Sequence, residues 1–447
     1  MGAYETEFAS YVLSRDFSLE VENINLTQNS EDEPLVLSGP GRIWQDEDGL
    51  LKFRVDARYD EGIFISLLLN DMNIRPGKLY DDKSYFTMTA ETVNGSSYTA
   101  ENVRFSSNIN FSGTGEVTGE LEYLSRHSVQ PTTDCNKVKI LAAHQDFKSW
   151  LALIGINQIT IDGKKLTIQI ESRDDSIIDI EVQAGSSLPQ NIDMRVIEAL
   201  QVLLSQKLPI AYVGAFSTRG FSEKLRRFPP IPHKSRLLPA IDLRDVGNSR
   251  AALNFLTKYL EFCLRQIKKN AWHPCSAQYM HAVEAQAGSL EVAIVGLCVA
   301  IEGVSNHLPV KYKRIEKEKV ELIAEVVGRW LRKRKFSDDI CFRTNGLVNQ
   351  LSNVRVRDRL SNYIETGTIP SDYFATWNRQ RHKAVHTSND LFGATSDAKL
   401  QKTLDDIQKL NTLIQMMLFV IIGYEGPYVD YGAVNWPTAE FVNRSSG

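Results

Sequence analysis

Cysteine is scarce: Cys135, Cys263, Cys275, Cys298 and Cys341 are odd in number, widely spaced and free of any C-x-x-C pair. That excludes a disulfide-stapled scaffold, and reduced thiols in a cytosolic protein are the simplest reading. Long hydrophobic runs are missing too. The most apolar stretches, Leu290 to Ile301 and Leu413 to Ile422, are interrupted by Glu291 and Gln415. Both fall short of the roughly 20 apolar residues that a bilayer span needs, so they read as buried helices. Met1 to Phe17 has no apolar core behind a basic start, so a secretory leader is not expected; a cytoplasmic location without a membrane partner is. There is no P-loop, G-x-S-x-G, H-E-x-x-H or protein-kinase signature. Gly113-Thr-Gly115-Glu-Val-Thr-Gly119 has the wrong spacing for a dinucleotide fingerprint and reads as a turn. Asp46-Glu-Asp48-Gly49 lacks the glutamate that closes a calcium loop and reads as a hairpin turn. No cofactor and no metal are expected.

What is present is a division of charge. The formal charge of the 447 residues is −4, from 51 Lys and Arg against 55 Asp and Glu. Residues 1 to 240 hold 24 basic and 33 acidic side chains (−9), whereas residues 241 to 447 hold 27 and 22 (+5). Only the second half favours a polyanion.

Hydrophobic periodicity divides the chain in the same place. Ile159-Thr-Ile-Asp162-Gly163-Lys-Lys-Leu166-Thr-Ile168-Gln-Ile170 alternates around an Asp-Gly pair and predicts a hairpin with a type I′ turn. Weaker hairpins surround Asp48-Gly49 and Asn94-Gly95, and helical patches lie at Gln145 to Ile154 and Asp193 to Gln206. The segment from Phe228 to Pro239 holds four prolines and marks a joint. After Ser249 the period becomes helical, with at least five helices predicted over Ser249 to Asn270, Cys275 to Asn306, Lys311 to Lys335, Ser371 to Val385 and Ser396 to Ile422. The expected architecture is an α+β multidomain chain. A β-rich sandwich-like or barrel-like domain over residues 1–235 precedes an all-α bundle over 236–425 and an irregular tail over 426–447.

The stretch richest in chemistry is Trp377-Asn378-Arg379-Gln380-Arg381-His382-Lys383-Ala384-Val385-His386. A spacing of four puts His382 and His386 on one helical face. Imidazole can move a proton near neutrality, and a guanidinium can grip a phosphate through two parallel hydrogen bonds. Together they suit metal-independent cleavage of RNA, in which the ribose 2′-hydroxyl attacks the adjacent phosphorus. The alternative is a solvated cationic face near a helix C-terminus. A zinc site from H-x-x-x-H is disfavoured, because no third or fourth ligand stands nearby.

Arg381-His382-Lys-Ala-Val-His386 resembles the R-x(4-6)-H motif of HEPN domains, and Val299-Ala-Ile-Glu302-Gly-Val-Ser-Asn306-His307 is similar to the acidic stretch on an earlier helix of such domains. The whole layout, ending in Gly-Tyr-Glu-Gly-Pro-Tyr from Gly423 to Tyr428, resembles the Apea-like HEPN proteins of bacterial anti-phage defence. The resemblance implies an endoribonuclease that cuts host RNA, with tRNA the leading substrate, in abortive infection. It also implies a homodimer with one composite site, Arg381, His386 and His382 as catalytic residues, Glu302 in support, and a phage protein as possible trigger at the N-terminal domain. Arg379 is seven residues before His386 and shares its face, whereas Arg381 lies about 140° away. The motif favours Arg381 and leaves Arg379 to bind substrate, with Asn378 and Lys383. A non-catalytic RNA-binding or dimerisation module of the same type, with a partner-sensing N-terminal domain, is the alternative.

Lys311 to Lys335 contains ten basic and four acidic residues and ends in Arg329-Trp-Leu-Arg332-Lys-Arg334-Lys335. Arg332, Arg334 and Lys335 are candidates for tracking phosphates, against a solvated helix laced with Glu-Lys pairs. Arg355, Arg357 and Arg359 form a second candidate surface, and Arg219 to Arg236 a third. Trp330 and Trp377 read as core anchors, as do Met416 and Met417.

Overall fold

The computed structural model describes residues 7–14, 16–30, 34–58, 84–109, 114–128, 135–144, 146–173, 176–227, 236–266, 271–309, 316–352, 354–385 and 396–444. His386 and most of the proline-rich joint lie outside them. Contacts divide the chain into two units. One comprises Met1–Gln201, Lys207–Pro232 and Leu243–Asn270; the other comprises Val202–Gln206, His233–Asp242 and Ala271–Gly447.

In the first unit β1 (Ser18–Gln28), β2 (Val36–Gln45), β3 (Leu51–Arg58), β4 (Phe86–Glu91), β5 (Ser97–Ile109) and β6 (Thr114–Leu121) bond in the order β1-β2-β3-β6-β5-β4. β4 pairs back with β1, Asn23 facing Glu91, which closes an antiparallel barrel. Period-two alternation explains its filling: Leu51, Phe53 and Val55 point in, and Lys52 and Arg54 point out. Helix α1 (Glu7–Ser14) adds Phe8 to this core, with ring centroids 5.8 Å from Phe17 and 5.7 Å from Tyr98.

The glycine-rich stretch expected as a turn is a strand from Thr114 onward, Gly113 lying outside the described residues. Gly119 sits within β6 opposite Phe53, and a Cβ there would lie 2.7 Å from the Phe53 ring. The missing side chain makes room for the phenyl group inside the barrel.

From β5 the sheet continues through β7 (Tyr123–His127), β13 (Phe221–Arg226), β12 (Ile210–Phe216), β8 (Lys137–Ala143), β11 (Ile177–Ala184), β10 (Lys164–Ser172) and β9 (Gly155–Ile161). The β9–β10 hairpin forms as predicted, with Asp162 (φ 47°) and Gly163 (φ 77°) both left-handed, as a type I′ turn demands. The other two Gly-containing turns close hairpins with longer loops, Gln45 pairing with Leu51 and Glu91 with Ser97. The patch at Gln145 to Ile154 is a single 3₁₀ turn, Phe147–Trp150, and the second patch is helix α2 (Ile192–Leu204). Helix α3 (Ser249–Leu264), expected as the first of the bundle, groups with the β-rich unit and packs on β9. Its apolar period announces a buried face but not what will cover it.

The second unit is helical: α4 (Pro274–Ala285), α5 (Leu290–Ser305), α6 (Lys317–Lys333), α7 (Asp338–Asn349), α8 (Val356–Glu365), α9 (Ser371–Val385) and α10 (Asp397–Ile422). The stretch predicted as one helix from Cys275 is two, because Gly288 and the Ser289 cap, whose hydroxyl accepts from the Val292 N–H, interrupt it. Helix α5 is central and packs against α4, α8, α9 and α10. A Cβ at Gly296 would lie 2.3 Å from that of Ala285, so α4 and α5 approach as closely as glycine allows. Helix α10 ends at Gly423 (φ 68°) in a left-handed cap. The tail beyond it is not irregular: β14 (Gly426–Val429) and β15 (Thr438–Phe441) pair as a hairpin, and the Phe441 ring packs against Phe419 of α10, tilted, with centroids 5.0 Å apart. Met416 and Met417 are buried, as expected. No helix among the described residues is long and apolar enough to cross a membrane.

Phe53→Ala should cost the β-rich unit about 3–5 kcal/mol, because it leaves a cavity at a fully buried barrel position. A urea titration followed by far-UV circular dichroism measures the loss.

Candidate functional site

Pro370 precedes α9, and Asp372 lies in its first turn, favourable to the helix dipole. Tyr373, Thr376, Trp377 and Gln380 are buried, a spacing of three and four that fixes one inward face. Asn378, Arg379, His382 and Lys383 are therefore exposed, and Arg381 is half-buried at the edge.

Three polar contacts tie α9 to its neighbours. The Trp377 Nε1–H donates to the Cys298 carbonyl of α5 at 3.3 Å. Arg379 donates to Asp406 Oδ1 of α10 at 2.7 Å, and Gln380 Nε2 donates to Asp406 Oδ2. Asp406 is only 5% exposed. Arg381 turns the other way: its Nε donates to Glu302 Oε1 of α5, and its guanidinium lies 5.7 Å from the Trp377 ring centroid. The two arginines thus reach different helices, as residues two apart on a helix must. Both keep solvent contact, each side chain being 42% exposed.

Beside this group, burial, with Glu302 nearby, pushes the Cys298 thiol up to about 12. It stays protonated near neutrality and is no nucleophile there. Just beyond the C-terminus of α5, burial and the Arg359 cation push the His307 imidazole down.

Compared with models of known families, with curated proteins and with solved structures, the chain finds no match. The site therefore stands on its own geometry.

The structure brings Arg381, Glu302 and Trp377 together, and Trp377 is a core anchor as expected. Trp330 is not: it is 52% exposed on α6, with Phe336 6.0 Å away and the Arg334 guanidinium 6.0 Å from its ring. Arg332, Arg334 and Lys335 are exposed at the end of α6, and among the described residues no hydrogen bond, ion pair or ring contact joins them to the α9 group. The N-terminal half of α6 follows the solvated reading, with Lys319–Glu316 at 2.9 Å and Lys317–Glu321 at 3.6 Å. Arg355 caps α8, where its N–H donates to Asp358.

Sequence reasoning missed Asp406 and Gln380. The signal for Asp406 was present: it lies four residues before Leu410 on the apolar face of α10, where a carboxylate requires a buried donor. On its outer side Arg379 lines an open cleft of about 700 Å³, with Asp372, Asp405, Asp406 and Lys409. Lys402 lines it too, so carboxylates and cations are equal in number around that cleft. Among the described residues no group of three or more His, Cys, Asp or Glu side chains is placed to hold a metal ion.

Asp406→Ala leaves two donors of α9 without their acceptor and should cost about 2 kcal/mol. Asp372→Ala, which removes the 2.9 Å pair with Lys409 and one first-turn carboxylate, should cost only about 1 kcal/mol; thermal melts compare the two. The folded state binds fewer protons at His307 than the unfolded chain does. Stability should therefore fall as pH drops below the ordinary value of 6.5 and level off once the folded imidazole protonates. His307→Gln should flatten that part of the profile in melts recorded between about pH 7.5 and about pH 5.

Proposed function

We propose that this protein is a cytoplasmic, metal-independent endoribonuclease of the HEPN type that cuts host RNA, tRNA above all, in anti-phage abortive infection. The observation that supports the reading is the state of Arg381. A half-exposed guanidinium is held by a carboxylate at Nε and lies over an anchored indole, beside the exposed His382. A guanidinium has five N–H donors, four of them on its terminal amino groups, and those four match the oxygens of a phosphate. Holding the fork in place beforehand lowers the entropic cost of gripping the anion.

In this reading the 2′-oxygen attacks the adjacent phosphorus while one histidine removes the 2′-hydroxyl proton. The bond from phosphorus to the 5′-oxygen breaks, and the second histidine protonates the leaving oxygen. The products are a 2′,3′-cyclic phosphate and a 5′-hydroxyl end. Arg381 offsets the charge that grows on the phosphoryl oxygens. His386 enters through its sequence spacing alone. A two-fold dimer would supply both motifs to one composite site. The acidic β-rich unit serves as the sensor, with a phage protein as its trigger.

A second reading, a non-catalytic RNA-binding or dimerisation module, is favoured by a specific observation. Arg379 and Arg381 are both engaged in ion pairs that tie α9 to its neighbours, which is what a purely architectural helix would need.

Purified protein should cleave RNA in EDTA, and Arg381→Ala and His386→Ala should each slow cleavage about a hundredfold or more. Activity lost in EDTA, or kept in both variants, overturns the mechanism. Binding that weakens steeply with salt and yields no product establishes the second reading.

A further inference from the structure

Helices α6 and α7 pack on each other as a hairpin, with Lys335 (φ 59°) in the turn between them. On α6 only Val320, Gly328 and Leu331 are buried. The opposite side is apolar and exposed: Leu322 59%, Ile323 38%, Val326 51% and Trp330 52%. On α7 Phe342 is 79% and Leu347 62% exposed. Large apolar residues scattered singly need no explanation, but a continuous stripe at helical spacing does.

One flank of that stripe carries charges in an ordered sequence: Glu318, Glu321, Glu325, Arg329 and Arg332. At about 100° per residue they fall within an arc of about 80°. Glu325 and Arg329 lie 3.7 Å apart, as neighbours on that flank do. The order is self-complementary. If a second α6 lies antiparallel, related by a two-fold axis at Glu325, Glu318 comes level with Arg332 of the other copy and Glu321 with Arg329. A two-fold axis brings the same flank of both helices together, so both pairs form twice. Glu325 faces its own copy at the axis, where Arg329 of each chain neutralises it.

The apolar stripe obeys the same symmetry. Leu322 falls level with the gap between Val326 and Trp330 of the second copy, and Val326 with the gap between Leu322 and Val326. Ridges therefore meet grooves along about 12 Å of helix. A lipid surface would also accept an apolar face with basic residues beside it, but it has no use for three glutamates arranged opposite two arginines.

We infer that the exposed face of α6 is a self-association surface, whose partner is a second copy of this chain packed antiparallel about Glu325. This surface lies on a different helix from Arg381 and does not rest on the nuclease reading.

Sedimentation equilibrium of the full chain tests it. The wild type should run at twice the 50.5 kDa chain mass at micromolar concentration. Leu322→Glu and Val326→Asp should give monomers with unchanged circular dichroism, since both positions are exposed in the single chain. Glu321→Arg and Arg329→Glu should each weaken the dimer about tenfold or more, and the double variant should restore it because the charges only change places. Arg381→Ala should remain dimeric whether or not RNA is cut, which separates this proposal from the catalytic one. A monomeric wild type, a dimer that survives Leu322→Glu, or a double variant no better than the single ones overturns it. So does a monomer that floats with anionic vesicles, which would assign the face to lipid.

Discussion

A buried carboxylate sets the geometry of the helical unit. Asp406 accepts from two successive residues of α9, Arg379 and Gln380, and a helix bonded through neighbours 100° apart cannot roll about its axis. That single constraint sends Trp377 inward to Cys298, turns Arg381 toward Glu302 and leaves His382 in solvent. An unpaired charge at that depth would be costly, so the arrangement is held by the penalty for every alternative rather than by the modest net gain of each bond.

The same economy appears in the barrel. Its interior is filled by large side chains set against small ones, with Phe53 occupying the volume that Gly119 leaves open. At the other unit's centre Gly296 of α5 leaves room for the Ala285 methyl of α4, so the two helices lie too close for a second side chain between them. In both places glycine is used for space, not for a turn.

What the sequence made legible was local. The Asp162-Gly163 turn, the helix that reaches Ile422 and the Met416-Met417 core all follow from periodicity and turn chemistry within a few residues. Partners across long separations were not legible, because a pattern tells which face is covered and not by what. Glu302 and Arg381 are 79 residues apart, and their pairing could be expected only through resemblance to a family. Helix α3 went to an unexpected neighbour for the same reason. Trp330 misled in a different way: a large aromatic on an amphipathic helix reads as core, and only the structure shows that the apolar arc of α6 is wider than the one neighbour it packs on.

The thirteen residues of β5 bond to β4 and β6 within the barrel and, through Tyr98 and Thr99, to β7 of the open sheet. A strand with partners on both sides of that border cannot leave one without loosening the other. The β-rich unit is therefore expected to melt as a single cooperative block, barrel and open sheet together.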